Sequence, residues 1–286
     1  MVALAHDSPD NIVDRAEFPT TTPAETLNRC VSWLSAREYD AIGIACFGPV
    51  ELHRGSKYYG YITTTPKKGW QYVDVLGPLS AVRPGVPVGF DTDVNAPAVA
   101  EHAQLVSEAL ARGEVPPSSC AYITVGTGIG VGLVINGAPV HGLMHPEGGH
   151  LCVPRRAADA GFDGSNREDC FGGLCAESMA CSAALAKRAN LESTTGLATL
   201  QDSDPAWDAA AHYLGALCAN IVLLASPERI VLSGGIMQRA SLFPKLRKRM
   251  QAMLNGCIAV DALTAEMVAN IASRRGLLMT AGTFSP

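Results

Sequence analysis

Short apolar segments that end at a glycine or an acid are the feature of this sequence that most constrains its fold. Each is bounded by turn residues and is too short for a buried helix, which favours a strand covered on both faces. Stretches with helical periodicity lie between and after them, the first opened by Thr22 and Pro23 as N-cap and first helical residue. Later helices are predicted over residues 174–190, 205–225 and 243–255. Strands that alternate with helices predict an α/β fold. The four segments are residues 41–47, 86–90, 121–125 and 229–232.

The composition fits a folded chain of two domains. A length of 286 residues corresponds to about two domains of ordinary size. Charged residues make up 17% of the chain, below the roughly 25% of an average protein, so disorder is not expected. The Pro- and Ser-rich passage at residues 113–119 is the best candidate boundary. We therefore predict an N-terminal domain over residues 1–117 and a C-terminal domain over residues 118–286.

The charge and hydropathy patterns argue against several classes of partner. A net charge of −5 without a long basic run disfavours nucleic acid or an anionic membrane. The best apolar stretch, residues 214–225, contains Asn220 and is shorter than the roughly 20 residues that a membrane span needs. The first residues lack the basic and apolar regions of a secretion signal. We expect a cytoplasmic protein whose nine cysteines serve mainly as small buried hydrophobic residues.

Two glycine-rich turns follow predicted strands. Because glycine has no side chain, its backbone N–H group can approach a phosphate oxygen closely. Glycine turns are also common as plain tight turns, so one turn alone decides little. Two such turns in a chain that also places an acid at a strand end favour nucleotide binding. The first turn contains Gly126, Thr127, Gly128 and Gly130, and the second contains Gly234 and Gly235.

Asp93 is the candidate catalytic acid or base. It lies just after the strand at residues 86–90 and just before a predicted helix, where α/β sheets bind their ligands. A carboxylate at this place can accept the proton of a substrate hydroxyl during phosphoryl transfer. The alternative is that Asp91, Asp93 or Asn95 only caps the following helix.

The segment from His145 to His150 groups two imidazoles and the carboxylate of Glu147 beside glycines. Such groups can bind sugar hydroxyls or hold a metal ion. Cys170 and Cys175 follow about twenty residues later, which makes a His and Cys zinc site conceivable, although the pairs typical of zinc sites are missing.

Trp70 follows Gly69 in the long irregular stretch at residues 51–74. Loops of this length are usually functional. The indole ring can stack on the apolar face of a ligand, or it can serve as a packing anchor for the loop. The sequence alone leaves both interpretations open.

Taken together, these residues resemble the repressor, open reading frame and kinase family of sugar kinases, and within it the bacterial fructokinases. The resemblance implies an actin-like ATPase (ribonuclease H-like) fold with two α/β domains around a cleft. It further implies ATP with Mg²⁺ as phosphoryl donor, a hexose phosphorylated on its 6-hydroxyl, and a homodimer. The matching stretches are residues 18–23, 47–49, 59–66, 90–95, 126–130, 141–147 with His150, and 227–232 with Gly234 and Gly235.

The resemblance also assigns roles to individual residues. Asp93 resembles the base that takes the hydroxyl proton, and Asn95 a nearby sugar contact. Glu147 and His150 resemble ligands of sugar hydroxyls, and residues 65–70, with Gly69 and Trp70, the loop that closes over the sugar. The turn with Gly126, Thr127, Gly128 and Gly130 is similar to the second phosphate loop, and Gly234 with Gly235 to the turn under the adenosine.

Three departures from the family pattern bear on function. Family members open with a strand that ends in a Gly-Gly-Thr-Lys phosphate loop, and Met1 falls just after that place, so we expect either a truncated sequence or a protein without ordinary ATP chemistry. Of four zinc ligands only His150 and Cys170 remain, so we expect no tight structural zinc. Gly172 stands where a further sugar-binding glutamate is expected, a loss worth about 1 to 3 kcal/mol of binding.

Three hypotheses about function follow. The leading one is an ATP-dependent hexose kinase of the fructokinase type with Asp93 as base. The second is a catalytically degenerate, kinase-like protein that binds a sugar or a partner. The third is a kinase scaffold that carries out another small-molecule reaction, since a fold does not determine its chemistry.

Overall fold

The structure, a computed structural model, describes residues 1–8, 11–164, 173–258 and 268–270. These residues form two compact units. Unit 1 contains Met1–Ala100 and the short segment His141–His145, and unit 2 contains Glu101–Val140 and the described residues from Pro146 onward. The two units are treated separately below. The domain division at residues 117 and 118 stays a prediction.

Unit 1 contains one antiparallel and one parallel pair of strands with helices between them. Strand β1 pairs antiparallel with β2, and β3 pairs parallel with β4 so that Cys46 faces Thr92. Helix α1 begins where the sequence predicts it, because the hydroxyl of Thr22 accepts the N–H of Glu25. The elements are β1 (Val2–Ala5), β2 (Ile12–Ala16), α1 (Pro23–Ser35), β3 (Ile42–Cys46), α2 (Leu76–Ser80), β4 (Val88–Thr92) and the first residues of α3 (Asn95–Ala111).

The described residues of unit 2 form a mixed sheet of five strands. Its strand order is β7-β6-β5-β8-β9, with β5 parallel to β8 and antiparallel to β6. The parallel register sets Thr124 opposite Ser233, so β5 and β8 end at the same edge of the sheet. The elements are β5 (Cys120–Val125), β6 (Ile129–Ile135), β7 (Ala138–Pro139), α4 (Ala176–Ala180), α5 (Ser182–Arg188), α6 (Pro205–Ala225), β8 (Ile230–Ser233), α7 (Leu242–Leu254) and β9 (Val268–Asn270).

Helix α6 is the central helix of the unit 2 core. Its side chains Trp207, Tyr213 and Leu214 are almost completely buried, and it packs against α7. By length and composition α6 is apolar enough to cross a membrane, but 67% of its most apolar window is buried inside the protein. A core helix has the same properties, so the helix is explained by packing.

One predicted helix is wrong. The sequence predicts a single helix over residues 174–190, but the structure contains α4 and α5 with a break at Cys181. Cys181 has an extended backbone with ψ of 168°, and Ser182 donates its N–H to the carbonyl of Gly126 at 2.8 Å. The break therefore arises because the second helix begins against the first glycine-rich turn, a contact that no local pattern reveals.

A buried ion cluster around Asp159 stabilises unit 2. The carboxylate accepts hydrogen bonds from Arg156 and Arg188 at 2.7 to 2.8 Å and from the Tyr213 hydroxyl at 2.5 Å. Burial alone would raise the pKa of Asp159, but these three donors outweigh it and hold the pKa well below its usual range. The charge of the buried Asp159 carboxylate is therefore compensated, which makes the cluster a structural element.

Candidate functional site

Asp93 follows β4 directly, at the carboxyl end of the parallel strand pair of unit 1. Its N–H donates to the carbonyl of Cys46 at the end of β3, and its side chain reaches the surface. The hydroxyl of Thr92 accepts the N–H of Asn95 at 2.9 Å and so caps α3. The helix start is thus explained by Thr92, and a capping role for the carboxylate of Asp93 is not needed.

The surroundings of Asp93 raise the pKa of its carboxyl group. Protein atoms crowd the carboxylate and raise its pKa, while a hydrogen bond from its own backbone and the nearby His145 oppose that effect only in part. Burial, with a further contribution from Asp93, raises the pKa of the Cys46 thiol to about 12, so this neighbour stays neutral. A carboxylate whose pKa is raised in this way is a stronger base, as proton abstraction from a hydroxyl requires.

Asp91 and Asn95, on either side of Asp93, differ from it in their contacts. Asp91 accepts the N–H of Thr92 at 2.7 Å and lies 2.8 Å from Nε2 of His141. Asn95 is completely buried in the first turn of α3. Asp91, near the end of β4, is thus held by its contact with His141, whereas Asp93, just after β4, has the raised pKa.

His145 belongs to unit 1, whereas Glu147 and His150 belong to unit 2. It is buried, and its Nε2 accepts the N–H of Val50 at 3.1 Å. The residues of the motif from His145 to His150 therefore lie in two different local environments.

Trp70 is a packing anchor in the loop after β3. Its Nε1 donates to the carbonyl of Thr21 at 3.0 Å, and its ring lies edge-on to Phe47 with centroids 5.1 Å apart. The ammonium group of Lys67 lies 5.6 Å from the same ring. Gly69 is exposed, with a φ of +81°. These contacts explain the tryptophan by packing, and stacking of Trp70 on a sugar stays a prediction.

The first glycine-rich turn joins β5 to β6 in unit 2. Gly126 donates its N–H to the carbonyl of Gly128 at 2.9 Å, which closes the turn, and Thr127 is exposed at its tip. A Cβ placed on Gly126 would meet no described atom within 4 Å beyond its neighbours. Gly130 lies within β6, opposite Thr124. The turn thus has open space on one side, as a phosphate-binding loop requires.

The second glycine-rich turn lies directly beside the first. Gly234 has a φ of +94°, and a Cβ there would overlap the carbonyl of Val125 at the end of β5. Gly235 instead faces open space among the described atoms. Two turns at the same edge of one sheet concentrate backbone N–H groups there, which suits an anion such as a nucleotide phosphate.

His150 lies in a 3₁₀ turn between Glu147 and Cys175. Its Nε2 is 4.0 Å from a Glu147 carboxylate oxygen, and its Nδ1 is 3.6 Å from the Cys175 sulfur. The contact with Cys175 raises the pKa of His150, burial opposes this, and Glu177 and Glu147 add to the rise. Gly149 permits the turn, because a Cβ there would overlap the carbonyl of Ile129.

Glu177 is the residue of this site that the sequence analysis did not identify. Its carboxylate accepts the N–H of Ile129 at 2.8 Å and lies beside Gly128 in the first glycine-rich turn. The sequence signal that could have identified Glu177 is its position as an acid in the first turn of α4, after the N-cap Cys175. Glu147, His150 and Glu177 therefore surround one edge of the unit 2 sheet near the glycine-rich turns.

Metal ligands are not grouped in the part of the chain that the structure describes. No three His, Cys, Asp or Glu side chains among those residues are arranged to hold an ion. Cys170 and Gly172 lie outside the described residues. The expectation of no tight structural zinc, and the expected loss of a glutamate contact at Gly172, therefore stay predictions.

Comparison with known proteins supports the resemblance seen in the sequence. A sequence model of the ROK family matches residues 1–282. The chain is 34% identical over 260 residues to the fructokinase of Lactococcus lactis subsp. cremoris, covering 90% of this chain and 82% of that protein. It is 36% identical over 266 residues to the fructokinase of Zymomonas mobilis subsp. mobilis, covering 89% and 82%.

Solved structures show the same fold. The crystal structure of a ROK family glucokinase from Streptomyces griseus, in complex with glucose and AMPPNP, superposes with a TM-score of 0.63 at 20% identity. The match covers 88% of this chain and 85% of that chain. The predicted class, α/β with the actin-like ATPase fold of ROK sugar kinases, is therefore confirmed.

Proposed function

The chain belongs to the ROK family, and we propose that it is a sugar kinase that transfers a phosphoryl group from ATP to the 6-hydroxyl of fructose. Relatives named fructokinase that are 31–36% identical over most of the chain support the sugar and the reaction. The observation that carries the proposal is the position of Asp93 after β4, with a raised pKa and a side chain that reaches the surface.

Asp93 acts as the general base. Its carboxylate oxygen accepts the proton of the 6-hydroxyl, so that the sugar oxygen can form a bond to the γ-phosphorus while the bond from that phosphorus to the departing ADP breaks. The raised pKa strengthens this base, while the neutral Cys46 thiol beside it adds no competing charge. A positioned base of this kind typically contributes a factor of about 10² to 10⁴ to the rate.

The glycine-rich turns of unit 2 fit a nucleotide. A Cβ at Gly126 or Gly235 would meet no described atom within 4 Å, which leaves room for a phosphate group there, and Thr127 adds an exposed hydroxyl. We assign the phosphates of ATP to the turn with Gly126, Thr127, Gly128 and Gly130, and the adenosine to Gly234 and Gly235. When bound, ATP with Mg²⁺ supplies the phosphoryl group and neutralises part of its charge.

Several polar side chains are assigned to the sugar hydroxyls. Glu147 and Glu177 can accept hydrogen bonds, and a ring N–H of His150 can donate one. In unit 1, Asn95 lies two residues after the proposed base and is assigned to the sugar as well. The loop with Gly69 and Trp70 is assigned to cover the sugar.

The same proposal includes the setting in which the kinase works. We assign it to the cytoplasm and to a homodimer, without a nucleic acid or membrane partner. A kinase of this class needs only its sugar, ATP and Mg²⁺, and Mg²⁺ is commonly held by substrate phosphates and one or two carboxylates.

Phosphorus NMR of the reaction mixture tests the proposal. The protein is incubated with ATP, Mg²⁺ and fructose, glucose or mannose in turn. We expect a sugar 6-phosphate signal that grows with time and is strongest for fructose. Absence of phosphorylation for all three sugars would overturn the proposal, and calorimetry showing sugar binding without nucleotide binding would indicate a binding protein instead.

A further inference from the structure

Two cysteines of unit 2 lie directly opposite each other on neighbouring backbone segments. Cys152 and Cys175 form an isolated antiparallel bridge. The flanking hydrogen bonds run from Ala176 N–H to the Leu151 carbonyl and from Val153 N–H to the Leu174 carbonyl. This pattern defines a non-hydrogen-bonded pair, in which the Cα atoms approach to about 4.5 Å and both side chains project from the same face.

The spacing of such a pair matches the requirements of a disulfide. Disulfide-linked cysteines have Cα atoms about 4.4 to 6.8 Å apart and Cβ atoms about 3.8 Å apart. Directly opposite residues have Cβ atoms about 4.5 to 5.5 Å apart, so the two segments must approach by about 1 Å. Both cysteines are free thiols here.

We propose that Cys152 and Cys175 are a reversible oxidation site that closes to a cross-strand disulfide. Cys152 is exposed, whereas only 1% of Cys175 is exposed, so a dissolved oxidant reaches Cys152 first. The small displacement that closure requires makes the bond more easily reduced than an unstrained one. The site is therefore suited to a transient disulfide in a reducing compartment.

The chemistry uses a peroxide as oxidant. The Cys152 sulfur attacks one peroxide oxygen, the O–O bond breaks, and Cys152 becomes a sulfenic acid as water leaves. The Cys175 sulfur then attacks the Cys152 sulfur, the S–S bond forms, and the S–O bond breaks with release of a second water. Two thiols and one hydrogen peroxide thus give one disulfide and two water molecules.

Closure would remove Cys175 from the contacts it makes in the reduced protein. Its sulfur now lies 3.6 Å from Nδ1 of His150 and 3.1 Å from the Ser178 hydroxyl, and it accepts the Ser178 N–H. A sulfur turned toward Cys152 leaves His150 without this partner and α4 without its cap. Because the proposed function assigns His150 to the sugar, we expect oxidation to weaken sugar binding, a consequence that rests on that assignment.

Thiol counting tests the disulfide independently of any activity. The full-length protein is treated with hydrogen peroxide, remaining thiols are blocked, and the intact mass is measured. We expect the loss of two thiols, a bond mapped to Cys152 and Cys175 by fragmentation, and complete reversal by dithiothreitol. Cys152→Ser and Cys175→Ser should each abolish the bond, whereas Cys257→Ser, which alters another exposed cysteine, should retain it.

A bond mapped to another pair, or oxidation of Cys152 to an acid without any bond, would overturn the oxidation site. Because Cys152 is exposed, Cys152→Ser tests the site even if Cys175→Ser fails to fold.

Kinase assays then test the effect of the disulfide on sugar binding. Peroxide should raise the KM for fructose about five- to tenfold, and the KM of Cys152→Ser should not respond to peroxide. An unchanged KM in the disulfide form would overturn only the link to His150. An inactive reduced protein would overturn the proposed function and leave the thiol result standing.

Discussion

Asp93 in unit 1 and Asp159 in unit 2 are carboxylates that their surroundings shift in opposite directions. Asp159 accepts hydrogen bonds from Arg156, Arg188 and Tyr213, and its pKa is held well below the usual range. Asp93 is crowded by protein atoms that raise its pKa, an effect only partly opposed by His145. The ionised form is thus stabilised at Asp159 and destabilised at Asp93.

The difference distinguishes a structural acid from a chemical one. A carboxylate whose negative charge is balanced by cations and hydrogen-bond donors contributes to stability and has little tendency to bind a proton. A carboxylate whose ionised form is poorly compensated costs stability at neutral pH but is a better base. Active sites often keep such groups at the expense of stability. The comparison predicts that substitutions of the two aspartates have opposite effects on stability and on activity.

The largest expected effect is that of Asp93→Asn on turnover. The amide retains the size of the side chain but cannot accept the proton, so we expect kcat for fructose phosphorylation to fall about 10² to 10⁴-fold. The KM for fructose should change little, because the sugar contacts remain. Steady-state kinetics with ATP in excess measures both parameters.

Asp208→Asn is the matched control for this substitution. Asp208 is an exposed aspartate that pairs with Lys245 at 2.6 Å on the surface of unit 2. Such pairs contribute at most about 1 kcal/mol, and we expect kcat and KM to equal those of the wild type. An equal loss of activity in both variants would argue against a specific role for Asp93.

The second prediction concerns Asp159→Asn, which should lower stability without abolishing chemistry. Only 7% of the Arg188 side chain and 5% of the Asp159 side chain are exposed, so the substitution leaves a buried cation uncompensated. We expect a loss of about 3 kcal/mol in the free energy of unfolding, measured by urea denaturation. In the wild type this stabilisation is present at pH values above about 3.9, the pKa of an aspartate in the unfolded chain. It is lost as the pH falls toward the lower pKa of Asp159 in the folded protein.

An unchanged unfolding midpoint for Asp159→Asn would show that the cluster does not stabilise the fold and would remove one side of the comparison. A normal Asp159→Asn fold with a large loss of kcat would contradict the structural role in another way. It would indicate that the Asp159 cluster is needed for phosphoryl transfer itself.

The third prediction contrasts the two glycines of the second turn. In Gly234→Ala the new Cβ meets the carbonyl of Val125, and the backbone at φ of +94° is strained for any side chain. We expect a loss of about 2 kcal/mol or more in the free energy of unfolding. Gly235→Ala adds its Cβ to open space and should change stability little, while weakening ATP binding measured by calorimetry. Equal stability of the two variants would contradict the described turn.

The smallest expected effect is a shift in the acidic limb of the pH profile. Activity requires ionised Asp93, and its pKa is raised, so kcat/KM should decline as the pH falls through a value above the ordinary 3.9 of an aspartate. Kinetics between about pH 4 and 8 in buffers of constant ionic strength would measure this limb. A limb at the ordinary value would show that the site does not perturb the base.

Much of the fold is predictable from local sequence. The cap at Thr22 and Pro23, the apolar strands and the long helix at residues 205–225 all appear where the patterns place them. These elements follow from caps, periodicity and burial, which are short-range properties. The two glycine-rich turns also come together as strand-end turns of one sheet.

Other parts of the site depend on contacts between distant residues. Glu177 binds the N–H of Ile129, 48 positions earlier in the chain, and the break at Cys181 depends on Gly126. Trp70 is fixed by the carbonyl of Thr21, 49 positions earlier. No periodicity or motif encodes such pairings, so the sequence reveals the residue types and leaves their partners to the structure.

The most direct test of the account measures turnover and the thermal unfolding midpoint on the same sample of Asp93→Asn. Because the side chain of Asp93 reaches the surface and Thr92 caps α3, an amide of the same size should leave the fold intact. We predict a midpoint equal to or above that of the wild type together with the loss of nearly all phosphoryl transfer to fructose. A lowered midpoint that accounts for the lost activity, or a retained wild-type rate, would contradict the assignment of Asp93 as the catalytic base.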